Sequence, residues 1–151
     1  MVIDMNNDTC IEELINGLNM GKIAIDHLVD KIENRKLKEI AVHQRKNYDD
    51  LKEKIMQTFP HTEDEVKNKF MLESMIEMKT ILSDDAKIAK MLTEGSNQAI
   101  MTMTHLLNKE ENVDPKIKAF ADDFEDISKR YIEELKANNE STLAGEKVFK
   151  L

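Results

Sequence analysis

TCIEELINGLNMGKIAIDHLVDKI, residues 9–32, sets apolar side chains at Ile11, Ile15, Leu18, Ile25, Val29 and Ile32, a stripe at helical spacing that Lys22 alone interrupts. Leu14 and Leu28 widen it to the breadth of a core-facing helix. Steps of four and three are those of antiparallel helices packed side by side. Thr9-Cys10-Ile11-Glu12 has the form of a capping box, so a helix is expected from near Cys10 to Ile32. Glu33-Asn34 then offers a break with Asn34 able to cap the next helix, and so short a connection forces an antiparallel neighbour.

The neighbour repeats the pattern. Leu37, Ala41, Gln44, Tyr48, Leu51 and Ile55 fall on one face, flanked by Ile40 and Met56, and the helix stops before Phe59-Pro60. Lys22 and Gln44 lie at similar distances from the turn, so an antiparallel hairpin brings them to one level as a polar bundle centre. Thr62-Glu63-Asp64-Glu65 reads as a second capping box, opening a connecting helix over about 63–82. Ser83-Asp84-Asp85 reads as a new cap for a helix through Ile88, Leu92, Ala99, Met103 and Leu107, where Gly95 is expected to mark close packing. Asp114-Pro115 starts the last helix, which should run to about Ala137 through Ile117, Phe120, Phe124, Ile127, Tyr131 and Leu135. Residues 138–151 lose periodicity. Val148, Phe149 and Leu151 in that tail are expected to bury against the bundle or a neighbouring chain.

With 151 residues the chain is one ordinary domain, 9–58 forming a first hairpin and 84–137 a second. Only 4 Gly and 2 Pro leave too few turn residues for a β-sandwich, so the fold class is all-α. A net charge of -8 argues against a nucleic-acid surface, which needs clustered cations. The single cysteine, Cys10, asks nothing of an oxidising compartment. No apolar run approaches the roughly 20 residues of a membrane span, and residues 1–20 lack the features of a signal peptide, which makes a cytoplasmic protein the expectation.

Ile11-Glu12-Glu13-Leu14, Asn19-Met20-Gly21, Asp30-Lys31-Ile32, Leu37-Lys38, Arg45 and Leu51 resemble the first hairpin of small bacterial ferritin-like proteins of undefined function. Asp84-Asp85, Glu94-Gly95, Ala99 and Ile132-Glu133-Glu134-Leu135 resemble their second. The resemblance implies an up-down four-helix bundle with an additional connecting helix. Metal-bearing members of that superfamily use Glu-x-x-His pairs, which aim two ligands at one ion. Here the residues three before His27, His43, His61 and His105 are Ala24, Ile40, Thr58 and Thr102. No metal and no cofactor is therefore expected, and Glu39 with His43 makes only an exposed pair one turn apart.

The sequence holds no Gly-rich phosphate loop, no Cys-x-x-Cys and no nucleophile elbow, so nothing in it points to catalysis. Met71, Met75 and Met78 share a face of the connecting helix, where flexible thioethers suit core filling or a protein contact. That helix has more apolar residues than one face can bury, and a homodimer or an unidentified protein partner is expected there. The leading functional expectation is thus a non-catalytic bundle acting through self-association or protein–protein interaction. Two others stay open: a di-iron, manganese or copper site built from unusual ligands such as Asp26, Glu94, Asp123 or Glu125, and a small-molecule carrier with a pocket around Lys22.

Overall fold

The described residues of the chain fold, in a computed structural model, into helices joined by turns and one irregular segment. The backbone is described for residues 5–80, 84–109 and 112–149, and side chains for 7–79, 84–109 and 112–140. The helices are α1 (Met5–Leu28), α2 (Arg35–Thr58), α3 (Lys69–Thr80), α4 (Asp85–Lys109) and α5 (Pro115–Phe149), with a 3-10 turn at Val29–Lys31. No helix among the described residues is long and apolar enough to cross a membrane.

The caps explain most of the boundaries. The Asn34 side chain accepts from the Leu37 N–H at 2.9 Å and so opens α2. Asp84 does the same for Lys87 N–H at 2.9 Å at the head of α4, and Asp114 for Lys116 N–H at 2.8 Å at the head of α5. α1, however, begins at Met5, more than a turn before the Thr9 box. The reason is a longer-range partner: the Asn7 side chain accepts the Asp114 N–H at 2.9 Å, which pins the first turn of α1 to the start of α5.

The connecting helix also differs from expectation. Residues 62–66 have no helical structure, and α3 starts only at Lys69, after Asn68 turns the backbone at φ 58°. Asp64 cannot serve a helix N-terminus because its carboxylate is drawn back to the first hairpin, accepting from Asn19 Nδ2 at 2.7 Å and pairing with Lys52 Nζ at 2.7 Å. Lys67 N–H likewise donates to Asn16 Oδ1 at 2.9 Å. At the other end of the chain, α5 runs past Ala137 to Phe149. Loss of apolar periodicity removes a burial signal but not helix propensity, and Glu140, Leu143, Ala144, Glu146 and Lys147 are all strong helix formers. The expected burial of Val148, Phe149 and Leu151 falls outside the described side chains.

α1 packs on α2 and α4, and α5 packs on α2 and α4, so the four long helices form a ring with α3 laid on α1. Asp85 at the head of α4 accepts the N–H groups of Glu33 (2.9 Å) and Asn34 (2.7 Å) in the α1–α2 turn. α4 therefore starts where α1 ends, and α5 starts where α1 starts. Every neighbour in the ring is antiparallel, and the segment between α2 and α4 travels the length of the ring alongside α1. The core is the inner faces: Leu14, Ile15, Leu18 and Ile25 of α1 with Leu37, Ile55, Ile88, Ile117, Phe124 and Leu135.

Candidate functional site

Small residues on two facing helices shape the site. On α1, Gly17, Gly21 and Ala24 replace the large apolar residues that fill the rest of its stripe; on α4 the set is Gly95, Ser96 and Ala99. The α1 glycines admit aromatic rings from across the ring of helices. A Cβ on Gly21 would stand 2.6 Å from Tyr48 Cε2, and one on Gly17 would lie 3.5 Å from Phe124 Cζ. Those two rings stack tilted, 5.8 Å apart. Gly95 behaves in the opposite way, since a Cβ there would meet nothing within 4 Å. The close packing expected at Gly95 is thus corrected: this glycine borders open space.

That space is a hollow of about 550 Å³ between α1, α3 and α4, within the range of small-molecule sites. Its buried floor includes Ile25, Leu28, Leu92, Phe124 and Tyr131; α3 roofs it with Leu72 and Ile76; Glu13, Asn16, Glu94 and Gln98 stand among its polar lining. The roof is lightly held. Among the described residues of α3 only Ile76 is buried, with Leu72 partly buried against the core, and polar contacts tie the helix to α1 and to the turn that follows it. His27 lies 3.1 Å from Glu77 and 3.6 Å from Glu73, Lys31 is 3.7 Å from Glu77, and ahead of the helix Lys67 is 3.2 Å from Glu13.

One floor residue holds an unmet polar group. Tyr131 is 2% exposed and its hydroxyl has no hydrogen-bond partner. Burial pushes its phenol far up, and the nearby Tyr48 hydroxyl and Glu134 carboxylate add to the shift, so the group stays protonated. The Tyr48 hydroxyl, by contrast, lies 3.4 Å from Ser128 Oγ. The apolar pattern of the last helix includes Tyr131, and the structure buries that residue with its hydroxyl enclosed.

Neither a known protein family, nor a curated protein, nor a solved structure matches this chain.

The residues singled out from sequence fall elsewhere. Lys22 does not meet Gln44; its ammonium pairs with Asp49 on the α1–α2 seam, next to an Asp26–Arg45 pair on the same seam. Gln44 is buried, and its amide nitrogen has no partner. The polar bundle centre is therefore not formed as a joined pair, because a surface carboxylate one layer along α2 outcompetes an uncharged amide for a lysine. The hollow is lined by the Gly17–Gly21–Ala24 side of α1 and does not include Lys22.

Of the unusual metal ligands considered, Asp26 is held by Arg45, Glu94 lies 3.9 Å from Lys90, Glu125 lies 2.9 Å from Lys129, and Asp123 is exposed. Glu39 is 3.4 Å from Arg35. Among the described residues, no three His, Cys, Asp or Glu side chains converge on a point that could hold an ion. Met71, Met75 and Met78 stand on α3 at 61%, 48% and 75% exposure, beside Phe70 at 85%. Met75 also lines the hollow.

Proposed function

We propose that this chain is a ferritin-like helical bundle that binds rather than catalyses, and that the hollow between α1, α3 and α4 takes up an apolar small molecule. The fold assignment is supported by antiparallel neighbours joined through one long crossover, the connectivity of that class. The observation that carries the binding reading is the hollow itself: about 550 Å³ over an apolar floor, beneath a helix that buries one residue.

The test is displacement of a fluorescent apolar probe from the purified full chain, with mass spectrometry of whatever organic extract it carries. Gly95→Phe should abolish uptake while keeping the fold, because a Cβ at position 95 meets nothing within 4 Å. Undiminished uptake by that variant, or none by the wild type, overturns the reading.

A second reading, self-association, is favoured by a separate observation. Phe70, Met71 and Met78 form an exposed apolar face on α3, and a face of this kind on a two-fold axis would pair with its own copy as a homodimer. Sedimentation of wild type and of Met71→Glu/Met78→Glu tests it: the wild type should sediment as a dimer that the variant dissociates.

A further inference from the structure

α3 has two faces. Its inner face roofs the hollow with Leu72 and Ile76. Its outer face shows Phe70, Met71, Met75 and Met78 at 85%, 61%, 48% and 75% exposure. Met75 belongs to both, because it also lines the hollow. Whatever covers the outer face therefore bears on how firmly the roof is held.

The spacing of that face suits a copy of itself. Met71, the half-buried Ser74, Met75 and Met78 are separated by steps of three, one and three, which read the same from either end of the helix. Two copies of α3 laid antiparallel about a two-fold axis between positions 74 and 75 would set Met71 against the partner's Met78 and Ser74 against the partner's Met75. Each methionine then meets another methionine or the room above a small residue. The row carries no charge, and the acids of α3 are engaged within their own chain, Glu73 and Glu77 with His27, and Glu77 also with Lys31. Copies brought together there meet no like-charge repulsion along the row. A fully exposed side chain of this size presents ~200 Å², so Phe70 and the three methionines expose ~540 Å² per chain and roughly 1,100 Å² in a pair, which reaches the ~1,000 Å² of a stable contact.

The same helix is poorly held from within. At 12 residues it is too short to stand alone in water, and among its described residues it buries only Ile76, so it can lift from the bundle at small cost and uncover the hollow. On the footing that the hollow binds and that the chain self-associates, we propose that a second copy pairs antiparallel through α3 about Ser74 and Met75, holds the roof down, and so sets the rate at which the hollow exchanges its occupant. Burial of the outer methionines raises the cost of lifting α3 in both copies at once. By linkage, an occupant resting against Leu72 and Ile76 keeps α3 where the partner needs it and strengthens the dimer in turn.

The experiment follows release of N-phenylnaphthylamine, an uncharged apolar reporter, from the full chain into excess cyclodextrin, at protein concentrations on either side of the dimer's dissociation constant found by sedimentation. Release should be about tenfold slower where the dimer prevails, as burial of even one further methionine gives. Met78→Glu changes a residue outside the lining of the hollow, and should sediment as a monomer that releases quickly at every concentration. Ser74→Cys supplies an arm free of dilution. Cys10 is buried, so oxidation with diamide should join position 74 to itself across the axis, and the joined pair should release slowly until it is reduced. Failure of the reporter to bind removes the hollow as a site, and the proposal with it. A wild type that stays monomeric at tens of micromolar gives the outer face to a different partner and overturns the proposal through the self-association reading. A dimer that binds the reporter but releases it at one rate at every concentration, or that Ser74→Cys fails to cross-link, overturns this proposal alone.

Discussion

Two glycines in helix interiors should respond to alanine with opposite signs. Replacing glycine by alanine in a helix gains about 1 kcal/mol through backbone entropy and is the same for both positions. At Gly95 nothing lies within 4 Å of the new methyl, so the gain is kept and the melting temperature should rise by about 2–4 °C for a chain of this size. At Gly21 the methyl would stand 2.6 Å from Tyr48 Cε2 and 3.0 Å from Cδ2, against an ordinary carbon–carbon contact of about 3.5–4.0 Å. Either the ring or α1 must shift by roughly an ångström to restore that contact. Tyr48 has little freedom to yield, being buried, stacked on Phe124 and placed by Ser128. Overpacking of this kind costs about 1–3 kcal/mol, which turns the gain into a net loss of up to about 2 kcal/mol. Since propensity cancels between the variants, the gap between their unfolding free energies measures the clash alone. Chemical denaturation of the two single variants supplies it. Stabilities that agree within about 0.5 kcal/mol would refute the claim that one glycine holds a ring and the other borders open space.

Tyr131→Phe should leave stability unchanged or raise it by about 1 kcal/mol in ligand-free protein, because it deletes a buried hydroxyl that lacks a partner; calorimetry showing a loss above 1 kcal/mol would mean the hydroxyl is satisfied after all. Asn68 adopts φ 58°, so Asn68→Ala should loosen α3 by about 1 kcal/mol and Asn68→Gly should not, read as faster amide exchange across Lys69–Thr80 in the alanine variant only. The hydrogen bond from Lys22 holds Asp49 below the ordinary carboxylate range against the opposing effect of burial; at Asp64 burial pushes the carboxyl up, but hydrogen bonds from Lys52 and Asn19 bring it below that range. Both contributions are complete above pH ~4 and are lost as the pH falls through the depressed folded values, so stability should decline on acidification and decline less steeply in Asp49→Asn and Asp64→Asn.

Helix class and core faces were legible because they rest on periodicity, which burial imposes directly. Leu14, Ile15, Leu18, Ile25, Leu37, Leu51 and Ile55 are buried where the pattern put them. Asn34 and Asp114 were readable as caps because their partners lie within three residues. Thr62-Glu63-Asp64-Glu65 misled because the competing partners of Asp64, Asn19 and Lys52, are remote in sequence. The hollow was hidden for a related reason. Gly17, Gly21 and Gly95 look alike along the chain, and only the arrival of Phe124 and Tyr48 at the first two, and of nothing at the third, separates a packed glycine from one that borders open space. The small-residue spacing on α1 and α4 was the available signal, and it marks that something lies close by without saying whether that is a ring or empty space.

The carboxylate of Asp85 has a kinetic consequence. It accepts two successive backbone N–H groups, of Glu33 and Asn34, that are presented together only after α1 has ended and α2 has turned back. α4 therefore has no complete seat until the first hairpin exists, and the Glu33 and Asn34 N–H groups of that hairpin's turn stay with water until Asp85 arrives. Assembly is therefore expected to run along the chain. During synthesis the first 58 residues can collapse as they leave the ribosome, while the second hairpin waits for a finished template, which keeps its apolar faces from pairing early in the wrong register. Asp85→Ala should accordingly slow the last step of refolding more than the first.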